Sequence, residues 1–240
     1  MTNDSAGFSL LGWSALFDLV VLAIPVLLIV GWYLGFRRNQ KRLTTFAAWA
    51  ATNGWLVLPE DGSLVGRWQK HPFGLGESRQ ALEVLSGTWS GSSATSFTYR
   101  YVTGSGKDRT THQYYVVALA LPSFLSTLTL TQEGFGARLA KLVGGQDLQF
   151  ESEDFNRAWR VECDDAKYGY DVVTPRLMER LLRPDAVGLG IRIDGTDVMC
   201  WVPGEQSLEA LAPRLELLAT IRDSVPAFVW REHGYDPGNG

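Results

Sequence analysis

The apolar run from Leu19 to Phe36, closed at once by Arg37, Arg38, Lys41 and Arg42, constrains this chain more than any other feature. A bilayer core is about 30 Å thick and takes roughly 20 helical residues to cross. Residues 13–36 meet that length. Trp13 stands at one end and Trp32 and Tyr33 at the other, where amphipathic rings settle at headgroup depth. Asp18 lies near the N-terminal end, within reach of the headgroups, and Pro25 falls mid-span, where it predicts a kink. A cleaved signal peptide would need a basic stretch ahead of the apolar one, and no Lys or Arg precedes Arg37. The basic cluster obeys the positive-inside rule. The expected topology is single-pass, N-terminus outside and the remainder cytoplasmic.

That reading divides the chain. Residues 1–12 are a short extracytoplasmic tail, 13–36 the transmembrane helix and 37–54 a juxtamembrane helix. Residues 55–233 are a cytoplasmic domain and 234–240 a disordered tail. About 200 residues after the span suffice for one domain with its own core. The chain carries a net charge of −4. Beyond the cluster at 37–42 there is no basic stripe of the kind nucleic-acid binding needs, so no nucleic-acid partner is expected.

The juxtamembrane segment places Leu43, Phe46, Ala47 and Ala50 on one helical face, and Asn53-Gly54 supplies a left-handed stop. Residues 60–80 carry several breakers and read as irregular. From Ala81 the period becomes two. Phe97, Tyr99 and Tyr101 alternate with polar residues; after the glycine-rich tip at 104–108, Tyr115, Val117, Leu119 and Leu121 share a face, predicting an antiparallel hairpin. Residues 135–143 suit a short helix. Ser152 caps a single turn. Thr174-Pro175 opens a helix whose apolar face is Leu177, Met178, Leu181 and Leu182. Asp194-Gly195 between two apolar runs reads as a second hairpin. Ser207 caps a last helix with Leu208, Leu211, Leu215, Leu218 and Ile221 inward. The fold class is α+β: seven or eight antiparallel strands, three or four helices, and a C-terminal helix able to plug a bent sheet in the manner of a pleckstrin-homology barrel.

Signatures of chemistry are sparse. Gly104-Ser105-Gly106-Lys107-Asp108 lacks the first glycine and the Ser or Thr of a phosphate loop, and joins strands. Cys163 and Cys200 lie within apolar strands as buried thiols, and the three histidines, His71, His112 and His233, are far apart in sequence. No metal or cofactor is expected. The densest polar cluster is Glu151, Glu153, Asp154, Asp164 and Asp165, which with His112 is a candidate for acid–base work. Interleaved arginines and capping positions give the same acids a structural role.

The stretch Glu151-Ser152, Phe155-Asn156-Arg157, Arg160-Val161 and then Thr174-Pro175-Arg176-Leu177-Met178-Glu179-Arg180-Leu181-Leu182 resembles the core motif of an uncharacterised family of bacterial membrane-anchored proteins, a domain of unknown function. The resemblance covers residues 148–182 and extends to 191–202. It implies an inner-membrane location and a structural role for the motif, and carries no catalytic residues with it.

The function expected from these observations is a membrane-tethered interaction module, an accessory or scaffold protein with a protein partner. One alternative is a membrane-anchored hydrolase or ligand-binding enzyme with a site near Glu151–Asp165. Another is an anionic-lipid-binding domain using Arg37, Arg38, Lys41, Arg42 and Lys70. Gly31 and Gly35, spaced as a small-xxx-small pair, permit a homo-oligomer through the span.

Overall fold

The computed structural model describes residues 7–132 and 146–238; the side chains of residues 7–22, 32, 34, 36, 38 and 39 lie outside that description. The helix expected over 135–143 falls outside it as well. The chain divides into two units, Met1–Thr45 and Phe46–Gly240.

Helix α1 runs unbroken from Gly7 to Asn53 with Pro25 inside it, so the expected span and juxtamembrane helix are one element. In the first unit Ile24 and Val26 to Val30 are all exposed. Among the described residues no helix is long and apolar enough to cross a membrane; the expected span lies partly outside them.

The second unit begins with the last turns of α1. Phe46 and Ala50 are buried, as their spacing predicts. Gly54 at φ +70° ends the helix, and the Trp55 amide donates back to the Ala50 carbonyl at 2.9 Å. A glycine in the left-handed conformation closes a helix this way because it carries no Cβ to clash.

Seven strands then build one antiparallel sheet. They are β1 (Leu56–Glu60), β2 (Glu77–Trp89), β3 (Ser92–Thr103), β4 (Thr110–Gln132), β5 (Gln146–Leu148), β6 (Trp159–Cys163) and β7 (Gly190–Pro203). The order is β1-β2-β3-β4-β6-β5, with β7 along the other side of β4. β4 is the spine. One edge pairs first with β3 (Ala94↔Leu119 to Thr103↔Thr110) and then with β6 (Leu128↔Cys163 to Gln132↔Trp159). Its other edge pairs with β7 throughout, and the register shifts between Ala120 and Leu125. β1, β5 and β7 each pair on one side only, so among the described residues the sheet does not close into a barrel.

Three local expectations are corrected. Asp194-Gly195 is not a hairpin turn. The apolar runs on either side both find partners on β4, so β7 is one strand, and Gly195 at φ +64° stands opposite Leu125, where β4 carries extra residues against it. The last long helix, α5 (Leu211–Ser224), starts after Ala210 rather than Ser207, whose hydroxyl instead donates to Glu209 at 2.5 Å. Tyr235, in the tail expected to be disordered, packs edge-on to Trp230 with ring centroids 5.9 Å apart.

Among the described residues four short α-helices accompany the sheet: α2 (Glu153–Ala158), α3 (Ala166–Val172), α4 (Pro175–Leu181) and α6 (Ala227–Glu232). Ser152 and Thr174 cap α2 and α4, accepting from the Phe155 and Leu177 amides, as their sequences predict. α5 packs on β4 and β7 with Leu211, Leu215, Leu218 and Ile221 inward. The larger core lies under the helices, with Tyr115, Val117, Leu119 and Leu121 of β4 within it. A smaller core, Phe97, Tyr99, Tyr101, Val116 and Trp201, lies on the opposite face, covered by residues 62–76 through Leu64, Trp68 and Phe73.

Candidate functional site

Residues 62–76 make a strap held down by two buried polar anchors. At the first, the Arg192 side chain of β7 is almost fully buried, 1 % exposed. Its Nε donates to Thr129 Oγ1 at 3.0 Å, Nη1 to the Gln69 carbonyl and Nη2 to the His71 carbonyl, both at 2.8 Å. The guanidinium lies 5.1 Å from the centre of the Trp201 ring. Burial lowers its pKa to about 10, which leaves it charged at neutral pH. At the second anchor, Arg67 grips both oxygens of Asp197 at 2.8 and 2.9 Å, and the Trp68 indole adds a third bond at 3.0 Å. Burial pushes the Asp197 carboxyl up, and Arg67 opposes it. Between the anchors His71 Nε2 meets the Tyr114 hydroxyl at 3.0 Å. Burial, with the Arg192 charge second, depresses the imidazole to about 4. Sequence reading missed Arg192; its signal was an arginine inside the apolar run Gly190–Ile193.

Three of the acids singled out in sequence sit at helix starts. Glu153 and Asp154 occupy the first turn of α2, where the helix dipole favours anions. Asp154 pairs with Arg157 at 3.2 Å, both largely exposed. Asp165 caps α3 through the Tyr168 amide. Glu151 and Asp164 are exposed. Beside them, Glu162 pairs with Arg160 at 3.0 Å, and burial raises its carboxyl. His112 is at the opposite end of β4 from the β6 contact, stacked on Tyr101 at 4.8 Å and bonded to Thr103 at 2.8 Å. The structure therefore does not bring His112 to the acids. Among the described residues no three His, Cys, Asp or Glu side chains gather to hold a metal ion. Cys163 and Cys200 are free and buried.

In the basic cluster the Arg37 guanidinium lies 5.7 Å from the Tyr33 ring centre, and the Lys41 carbonyl accepts from Thr44 and Thr45. Arg42 is half-buried, and the Arg38 side chain lies outside the described residues. Lys70 stands in the strap at φ +63°.

A second polar concavity was not anticipated. A cleft of about 420 Å³ opens between α4 and the C-terminal half of α5, lined by Arg176, Glu179, Arg180 and Arg183 on one wall and Thr220, Asp223 and Ser224 on the other.

These features define an α+β domain built on one bent antiparallel sheet, both faces covered and polar side chains engaged mainly in holding it together. No family profile matches the chain, and neither does the sequence of any curated protein. Its fold is similar to the crystal structure of the mycobacterial trehalose monomycolate transport factor A, TtfA, at a TM-score of 0.54 and 14 % identity. The match covers 75 % of this chain and 91 % of that one.

Proposed function

We propose that this chain is a membrane-tethered, non-catalytic accessory factor in a transport system, whose folded unit acts by binding a protein partner. The observation that carries the reading is the fold shared with a transport factor over 91 % of the chain in that crystal structure. The acids most suited to chemistry are spent on helix starts and ion pairs, away from His112, which favours a binding module over a hydrolase. The tether rests on the apolar run and the basic residues after it. In this reading α1 crosses a bacterial inner membrane with the N-terminus outside and the Phe46–Gly240 unit in the cytoplasm. A Cβ placed on Gly31 or Gly35 meets nothing within 4 Å, which leaves room for a second helix there.

In-cell crosslinking of the tagged full-length protein, with detergent purification and mass spectrometry, tests this beside a control truncated after residue 45. A stoichiometric membrane-transport partner that the control loses is the expected result. A protein recovered with no partner, or with the same partners as the control, refutes the reading.

A further inference from the structure

The helix-opening motif at residues 174–182 has two halves with different fates. Leu177, Met178 and Leu181 are core. Its arginines line the cleft against α5. Arg176, Arg180 and Arg183 recur at spacings of four and three, which stacks them on one side of α4 and its exit. Gathering like charges so closely is unfavourable unless something offsets it. Arg180 is offset internally: it forks onto Asp185 at 2.6 and 2.9 Å, its side chain 14 % exposed, and this pair holds the Asp185 carboxyl below its usual range. Arg183 also acts on Asp185 through its charge, but its side chain makes no hydrogen bond or ion pair among the described residues. Arg176 has no side-chain partner there at all. Two guanidinium forks therefore flank a fixed third, facing into a concavity.

The opposite wall has the reverse character. The Thr220 hydroxyl donates to the Glu216 carbonyl at 2.8 Å, and the Ser224 hydroxyl to the Ile221 carbonyl at 2.7 Å. Their protons are spent, so towards the cleft these oxygens can only accept. Asp223 gives one oxygen to Arg222 at 2.7 Å and keeps the other. The α4 wall also carries the Glu179 carboxylate between Arg176 and Arg183, so it offers three charged donors around one acid, and the facing wall offers acceptors.

From this juxtaposition we infer that the α4–α5 cleft is a binding site for a phosphorylated polyol, the phosphate taken by Arg176 and Arg183 beside Arg180, and the hydroxyls donated to Thr220, Ser224 and Asp223. A phosphate presents more oxygens than a carboxylate to a set of forks, and Arg is the side chain that matches it bidentately. A purely acidic ligand would leave the acceptor wall unanswered; an uncharged sugar would leave the arginines so. The same chemistry occurs in a soluble sugar phosphate and in an inositol phospholipid headgroup. The inference stands whether or not the transport reading does.

The test uses the full chain in phosphatidylcholine nanodiscs. One arm titrates glucose 6-phosphate, with glucose as the uncharged control; the other replaces part of the lipid with phosphatidylinositol. Hydrogen exchange over residues 175–183 and 217–224 reads occupancy. The variant is Arg176→Ala with Arg183→Ala, both exposed positions, and Arg176→Gln alone is a second, milder change. Protection by glucose 6-phosphate and not glucose, weakened about 10-fold for each arginine removed, supports the site with a soluble ligand. Protection only in the phosphatidylinositol discs, lost in the variants, supports it with a lipid headgroup. Equal protection by glucose, protection that survives the variants, or none in either arm overturns the inference.

Discussion

Arg192→Met is the sharpest test of how the strap is held. The native guanidinium makes three hydrogen bonds of 2.8–3.0 Å, two of them to strap carbonyls. A bond from an ionised donor contributes about 1.5–3 kcal/mol net. Against the sum stands the desolvation of a nearly fully buried cation, several kcal/mol, which the substitution relieves. Met retains an apolar stem for the Trp201 face but leaves the Gln69 and His71 carbonyls unsatisfied at about 1–3 kcal/mol each. The balance predicts a destabilisation of about 2–4 kcal/mol, read as a lowered urea midpoint. The loss should be regional as well as global: amide exchange across residues 62–76 should quicken more than across β3 or β4. An equally stable variant with unchanged strap exchange would mean that the cation's desolvation cancels its bonds, and that the Asp197 anchor with Leu64, Trp68 and Phe73 holds the strap without it.

Other predictions follow from the same geometry. His71 is depressed to about 4 in the fold against an ordinary 6.5, so below pH 6.5 the unfolded chain takes up a proton that the native one refuses. Stability is full above pH 6.5 and falls as pH drops towards 4, by about 3 kcal/mol at most. His71→Gln should flatten the pH dependence of the urea midpoint in that window, and an unchanged slope would assign it elsewhere. A Cβ on Gly190 would lie 2.3 Å from the Trp201 ring, so Gly190→Ala should cost about 1–3 kcal/mol in thermal unfolding, whereas Gly62→Ala, in open space, should change little. The fully buried Cys200 thiol, pushed up to about 12, should resist iodoacetamide until the protein is denatured; labelling under native conditions would contradict its burial.

Much of the fold was legible because it is local. Alternation in Phe97, Tyr99 and Tyr101 marked β3, and Ser152 and Thr174 marked helix starts through bonds spanning three residues. Where sequence reading failed, the deciding partner was remote. Asp194-Gly195 has the chemistry of a turn, but residues 114–130 of β4 pair with both flanking runs, so the glycine lies inside one strand, opposite the irregular stretch of β4. Ser207 is a good cap by type, yet its backbone carbonyl is taken by the Tyr115 hydroxyl at 2.9 Å, and α5 begins later. Arg192 gave no local signal of its role because its acceptors lie 63, 121 and 123 residues earlier. The arginines of α4 acquire a common direction only through the facing wall that α5 supplies. The acids near 151–165 were visible as a cluster, but clustering in sequence did not place His112 among them.

The division of labour along β4 has a consequence for biosynthesis. Its first partner, β3, precedes it through a short connection, so that hairpin can close as soon as it leaves the ribosome. β7 lies some 70 to 80 residues further on, and until it emerges one whole edge of the longest strand stays open to any passing strand. Contacts so distant in sequence form slowly, and an open edge invites mispairing with a neighbouring nascent chain. The vulnerable interval in making this protein thus runs from the completion of β4 to the arrival of residue 203, and a message truncated between those points should yield aggregate rather than a smaller folded protein.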